Sequence, residues 1–87
     1  MTVKFTRRFV RAYNELQPQD RRAVLDAVDR VQADRNHPSL HLKKVQGVPG
    51  IWEARASRDL RLTCQFLAGD VLVFRICGHH DTVLRNP

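Results

Sequence analysis

LRLTCQFLAGDVLVFRIC, residues 60–77, is the stretch on which the fold turns. Leu62, Cys64 and Phe66 alternate with Arg61, Thr63 and Gln65, and a second alternating run starts at Val71 after the turn residues Ala68, Gly69 and Asp70. A period of two marks strands, and a short glycine-containing break between two such runs marks a hairpin. With a three-residue loop, Leu67 faces Val71. Leu62, Cys64, Phe66, Leu72, Phe74 and Ile76 then share one face, and Arg61, Thr63, Gln65 and Arg75 share the other. A two-residue loop would bury Arg75 among apolar neighbours at a cost of several kcal/mol, so the three-residue loop is expected. In that register Cys64 sits opposite Phe74, roughly 10 Å along the strand from Cys77, too far for a disulfide. Two free thiols, and hence a reducing compartment, are expected.

Upstream, Ile51–Ser57 reads as a third strand, followed by a turn at Arg58 and Asp59, with Trp52 in the core. Val3 and Phe5 flank Lys4 in a short opening strand. Phe9, Tyr13 and Leu16 recur at helical spacing and predict a first helix ending before Gln17. Pro18 suits the first turn of a second helix running to about Asn36. Val24, Leu25, Val28 and Val31 form the apolar stripe of that helix, with Ala23 and Ala27 allowing close packing. Arg22 with Asp26, Asp26 with Arg30, and Arg30 with Asp34 lie four apart on its wet face. The expected fold is α+β: a short N-terminal strand, a helical hairpin, then antiparallel strands in one small sheet packed on the helices.

At 87 residues the chain is expected to be one domain, residues 1–87, with one modest core and no room for a deep cofactor cavity. The formal charge of +6 favours an acidic partner such as nucleic acid or an acidic protein. No apolar run approaches the length of a membrane span and Met1–Thr6 has no signal-peptide core, so a cytoplasmic protein without membrane contact is expected. All four histidines, His37, His41, His79 and His80, lie in the second half. Titrating chemistry near neutral pH therefore belongs there. His37 and His41 read as loop residues without a role. Cys77, His79 and His80 lack metal-ligand spacing, since adjacent strand residues point to opposite faces, and neither a metal nor another cofactor is expected.

Leu42-Lys-Lys-Val-Gln-Gly47, Gly50-Ile-Trp-Glu-Ala-Arg55, Asp59-Leu-Arg-Leu62 and the run from Gly69 to Asp81 together resemble the RelE/ParE superfamily of bacterial toxins, in particular the RelE/YoeB-like toxins of type II toxin–antitoxin systems. That resemblance implies a metal-independent endoribonuclease that cuts messenger RNA in the ribosomal A site and is neutralised by a cognate, acidic antitoxin in a hetero-oligomer. The alternative is a ParE-like inhibitor of DNA gyrase, or a non-catalytic module that binds ribosome or RNA; the histidine pair favours the nuclease.

Arg61 matches the arginine with which RelE-like enzymes stabilise the reacting phosphate, and His80 falls where YoeB carries a histidine. Leu84 stands where many members have a tyrosine, and Trp52 and Ala54 replace lysines. A histidine is chemically sufficient in the tyrosine's place. The candidate catalytic residues are Arg61, His80, His79 and Glu53. Lys43, Lys44, Arg55 and Arg75 are the candidates for holding RNA phosphates. The expected reaction is attack of a 2′-hydroxyl on its adjacent phosphate, with His80 or Glu53 as base, Arg61 and a lysine stabilising the added charge, and His79 or His80 protonating the leaving oxygen.

Overall fold

Thr6 joins a strand to a helix because its hydroxyl serves both. Its Oγ1 accepts from the Phe9 N–H at 3.0 Å, capping the helix, and donates to the Arg75 carbonyl on a distant strand. The computed structural model describes residues 1–87. It runs β1 (Thr2–Phe5), α1 (Arg7–Glu15), α2 (Pro18–Ala33), a 3₁₀ turn (Pro38–Leu40), β2 (Lys43–Lys44), β3 (Trp52–Arg55), β4 (Leu60–Leu67), β5 (Val71–His79) and α3 (His80–Arg85). The strands form one sheet in the order β1-β5-β4-β3-β2, antiparallel except for β1, which lies parallel to β5. The architecture is the α+β arrangement expected.

The hairpin has the three-residue register: Leu67 pairs with Val71, Phe66 with Leu72 and Cys64 with Phe74. Beyond that point the ladder slips, because Thr63 pairs with Ile76 and Arg75 is left as the extra residue of a bulge. The bulge overturns one expectation. Cys77, not Ile76, enters the core after Phe74, since two successive residues spend one step of the alternation. The carbonyl that the bulge leaves out of the ladder is the one Thr6 satisfies. The slip also brings Gly78 opposite Arg61, at φ +151, where only glycine sits without strain.

Phe5, Phe9 and Phe74 pack with ring centroids 5.2–5.9 Å apart, tying β1 and α1 to β5. From α2 the core receives Val24, Ala27, Val28 and Val31. Leu25, assigned to that stripe from sequence, is 47% exposed, because it lies one residue, or about 100°, off the row made by the other four. The three charge pairs on the wet face do not close to within 4 Å, so that face is simply solvated. The helix ends at Ala33, three residues short of the expected end. Asp34 leaves helical geometry, and its carboxylate accepts from the Asn36 N–H at 3.1 Å.

Trp52 and Ala54 face the helices, Trp52 meeting Phe66 edge-on at 6.1 Å. Cys64 and Cys77 are both buried and free, and burial pushes each thiol up to about 12. The last element, α3, was not foreseen in the sequence. Its first N–H, from His80, donates to the Asp59 carbonyl at 2.9 Å, folding the chain back beside the β3–β4 turn. No helix is long and apolar enough to cross a membrane.

Candidate functional site

Three antiparallel strands set their alternate side chains on the sheet face away from α1 and α2. Lys43 pairs with Glu53, Glu53 with Thr63, and Arg55 with Arg61, so these groups form neighbouring rungs on one side. Lys43, Glu53, Arg55, Arg61, His80 and His41 line one open hollow of about 220 Å³. Arg61 and His80, 19 residues apart in the chain, also form the shared wall of a wider groove of about 690 Å³ that takes in Arg58, His79 and Arg85. Both depend on α3, which carries His80 back over the β3–β4 turn.

Arg61 is held by backbone. Its Nη1 donates to the carbonyls of Ser57, Arg58 and Leu60 at 3.0–3.2 Å, and Arg55 Nε donates to the same Ser57 carbonyl at 3.3 Å. Neither guanidinium has a carboxylate within 4 Å. Like charges directly across a ladder repel, and the Ser57 carbonyl dipole offsets that only in part. Arg61 Nη2 and Nε are left free of internal partners, so the pair has donors with which it can receive an anion.

Glu53 is 5% exposed, and its Oε1 lies 3.3 Å from Lys43 Nζ. A carboxylate this enclosed needs such a partner. His80 is about half exposed, with Nδ1 3.3 Å from Asp81 Oδ1. In the tautomer with the proton on Nδ1, that nitrogen donates to Asp81 and Nε2 is the acceptor.

The remaining candidates from sequence fall elsewhere. Lys44 points to the other face, its Nζ 5.6 Å from the centre of the Trp52 ring, because it adjoins Lys43 on a strand. Arg75 shares the outer sheet face but lies away from the hollow, donating to Gln65 Oε1 at 2.7 Å and to the Pro87 oxygen at 3.2 Å. His79 occupies the N-cap position of α3, with no capping hydrogen bond from its side chain, and lines the wider groove, not the hollow. Cys77, His79 and His80 are not gathered as ligands, and no group of three or more His, Cys, Asp or Glu side chains is arranged to hold a metal ion.

Solved structures share this architecture. The RelB–RelE antitoxin–toxin complex from Methanococcus jannaschii matches with TM-score 0.72 at 19% identity, over 97% of this chain and 99% of that one. A YoeB/ParE toxin from Agrobacterium tumefaciens matches with TM-score 0.77 at 15% identity, over 92% and 99%. The DinJ–YafQ toxin–antitoxin complex from E. coli matches with TM-score 0.72 at 16% identity, over 93% of each chain. The fold is that of the RelE/ParE toxins. At these identities the likeness is one of fold, and no protein-family model or curated protein sequence matches the chain.

Within this RelE-type fold, His41, read from sequence as a loop residue without a role, also lines the hollow. It stands in the hollow at the end of the 3₁₀ turn, in left-handed geometry at φ 46. Its only sequence signal was its place one residue before the Leu42-Lys43-Lys44 segment. Arg58 and Arg85, also unassigned from sequence, add cations to the outer groove.

Proposed function

We propose that this chain is the toxin of a toxin–antitoxin pair, a metal-independent endoribonuclease that cuts messenger RNA in the ribosomal A site, in the cytoplasm. The observation that carries this reading is the meeting of Arg61 and His80 in one solvent-open hollow, with Lys43, Arg55 and Glu53 on adjacent rungs. An arginine pair with no carboxylate partner suits a phosphate. An imidazole oriented by Asp81 suits removal of a 2′-hydroxyl proton. The cognate partner is an acidic antitoxin, in keeping with the RelB and DinJ complexes of the structural neighbours and the charge of +6.

In this mechanism the phosphate sits against Arg55 and Arg61. His80 Nε2 takes the 2′-hydroxyl proton, the 2′-oxygen attacks the adjacent phosphorus, and the 5′-oxygen leaves. Arg61 contributes its free donors to the added charge of the phosphorane, and Lys43, steadied by Glu53, adds a second cation. The products are a 2′,3′-cyclic phosphate and a 5′-hydroxyl end.

Purified protein added to translating ribosomes, with 5′ ends mapped on the message, tests this directly. Cuts positioned within codons and bearing 5′-hydroxyl ends are expected. Intact message beside blocked gyrase supercoiling would refute the nuclease and assign the ParE-like activity instead.

A further inference from the structure

We infer that Arg75 and Thr63 are positioning residues for the cleavage: they tie residues 86–87 down across the sheet and thereby hold α3, with His80 at its start, against Arg61. The effect on rate rests on the ribonuclease reading above; the tie itself does not. It replaces the phosphate-holding role expected of Arg75 from sequence.

Alone, α3 would not stay in place. Its six residues are far fewer than the roughly 12–15 an isolated helix needs, and the side chain of its N-cap residue, His79, makes no capping hydrogen bond. Val83 is its one buried side chain. The remaining hold comes from hydrogen bonds at the two ends. At the start, the His80 N–H donates to the Asp59 carbonyl at 2.9 Å. Past the end, three other elements grip the chain. Arg8 Nη2 on α1 donates to the Asn86 carbonyl, while Thr63 Oγ1 on β4 and Arg75 Nε on β5 donate to the Pro87 oxygen at 3.0 and 3.2 Å.

Both donors to Pro87 are built for that contact. The Thr63 side chain is fully buried, and the Pro87 oxygen is the acceptor that satisfies its hydroxyl. Arg75 is the extra residue of the β4–β5 bulge, an irregularity that re-aims a side chain. Its Nη1 is bound to Gln65 Oε1 at 2.7 Å and its Nε to Pro87, and it lines neither the hollow nor the wider groove. An arginine fixed in this way acts on α3 and not on a phosphate. Displacing a reacting group by about 1 Å costs up to about 10²-fold in rate. The tie therefore bears on cleavage through where the His80 imidazole stands, independently of the direction in which it moves a proton.

The test sets Arg75→Gln beside Thr63→Val, because Thr63 carries no charge and is buried out of reach of RNA. Melting curves check that each variant is folded at the assay temperature, and Thr63→Ser, which keeps the hydroxyl, is the rescue. Arg75→Gln and Thr63→Val should each lower kcat on programmed ribosomes by about 10- to 10²-fold, with KM and the salt dependence of RNA binding unchanged. Backbone amides of α3 should exchange with solvent about 2- to 10-fold faster in both. Thr63→Ser should cut at nearly the wild-type rate. A loss of RNA affinity in Arg75→Gln, with a salt slope shallower by about 1, would assign Arg75 to a phosphate and overturn the inference. Folded variants at both positions that cut at the wild-type rate would overturn it too, and in either case the nuclease stands. A wild-type protein that leaves message intact overturns the ribonuclease reading instead, and amide exchange in α3 of the same variants then decides the tie: faster exchange upholds it, unchanged exchange refutes it.

Discussion

Arg61→Ala removes a guanidinium whose anchoring and chemical work fall on different atoms. Nη1 is spent on the carbonyls of Ser57, Arg58 and Leu60, while Nη2 and Nε have no internal partners. The Ser57 and Arg58 carbonyls lie in the β3–β4 turn, and the buried Leu60 carbonyl also accepts from the Ala56 and Ser57 N–H groups, so the lost hydrogen bonds cost about 0.5–1.5 kcal/mol. Deleting a like charge opposite Arg55 returns about 0.2–1 kcal/mol. The net change in folding is at most about 1 kcal/mol, or roughly 4–8 °C in melting temperature for a domain of this size. The chemical loss is larger. A preorganised donor to developing negative charge is worth about 10²–10³ in kcat, equivalent to about 2.7–4 kcal/mol of barrier. Single-turnover cleavage on programmed ribosomes, beside thermal melts of the same samples, separates the two effects. Arg61→Lys should fall between, since an ammonium keeps the charge but cannot grip the turn and reach the phosphate together. A folded Arg61→Ala protein that cuts message at the wild-type rate would refute the reasoning outright.

The two adjacent lysines should part company: Lys43→Ala should slow cleavage by about 10²-fold, whereas Lys44→Ala, whose side chain lies over Trp52 on the other face, should leave the rate unchanged in the same assay. Gly78→Ala forces a Cβ onto φ +151 and should destabilise the fold by about 1–3 kcal/mol in urea titrations, through backbone strain and not a clash, because the nearest side-chain atom to the new Cβ is 3.7 Å away. Cys64 and Cys77 should resist a thiol reagent until the protein unfolds. Burial keeps both protonated up to about 12 while the unfolded chain releases their protons near 9, so the folded state binds more protons between those values and stability should fall as pH rises through them, by up to about 1.4 kcal/mol per pH unit per thiol. Chemical denaturation at stepped pH values measures that slope, and a Cys64→Ala, Cys77→Ala protein should flatten it.

The sequence by itself determined the elements and much of their pairing. Alternation in residues 60–67 and 71–74, with the cost of burying Arg75, was enough for the three-residue hairpin, and helical spacing from Phe9 to Leu16 and from Val24 to Val31 placed α1 and α2. Those signals are local, because they reflect the period of one element against one core. Long-range hydrogen bonds decided the rest. The bulge at Arg75 is stabilised by Thr6, 69 residues away, and it moves Cys77 inward and Gly78 beside Arg61. Likewise α3 starts where His80 meets the Asp59 carbonyl, and His41 reaches the hollow through a left-handed turn that no periodicity encodes. Arg61 and His80 could be named from residue type and family likeness. Their meeting, and the histidine that joins them, followed only from how the chain folds back on its own sheet, since proximity across a ladder or a turn leaves no period in the sequence.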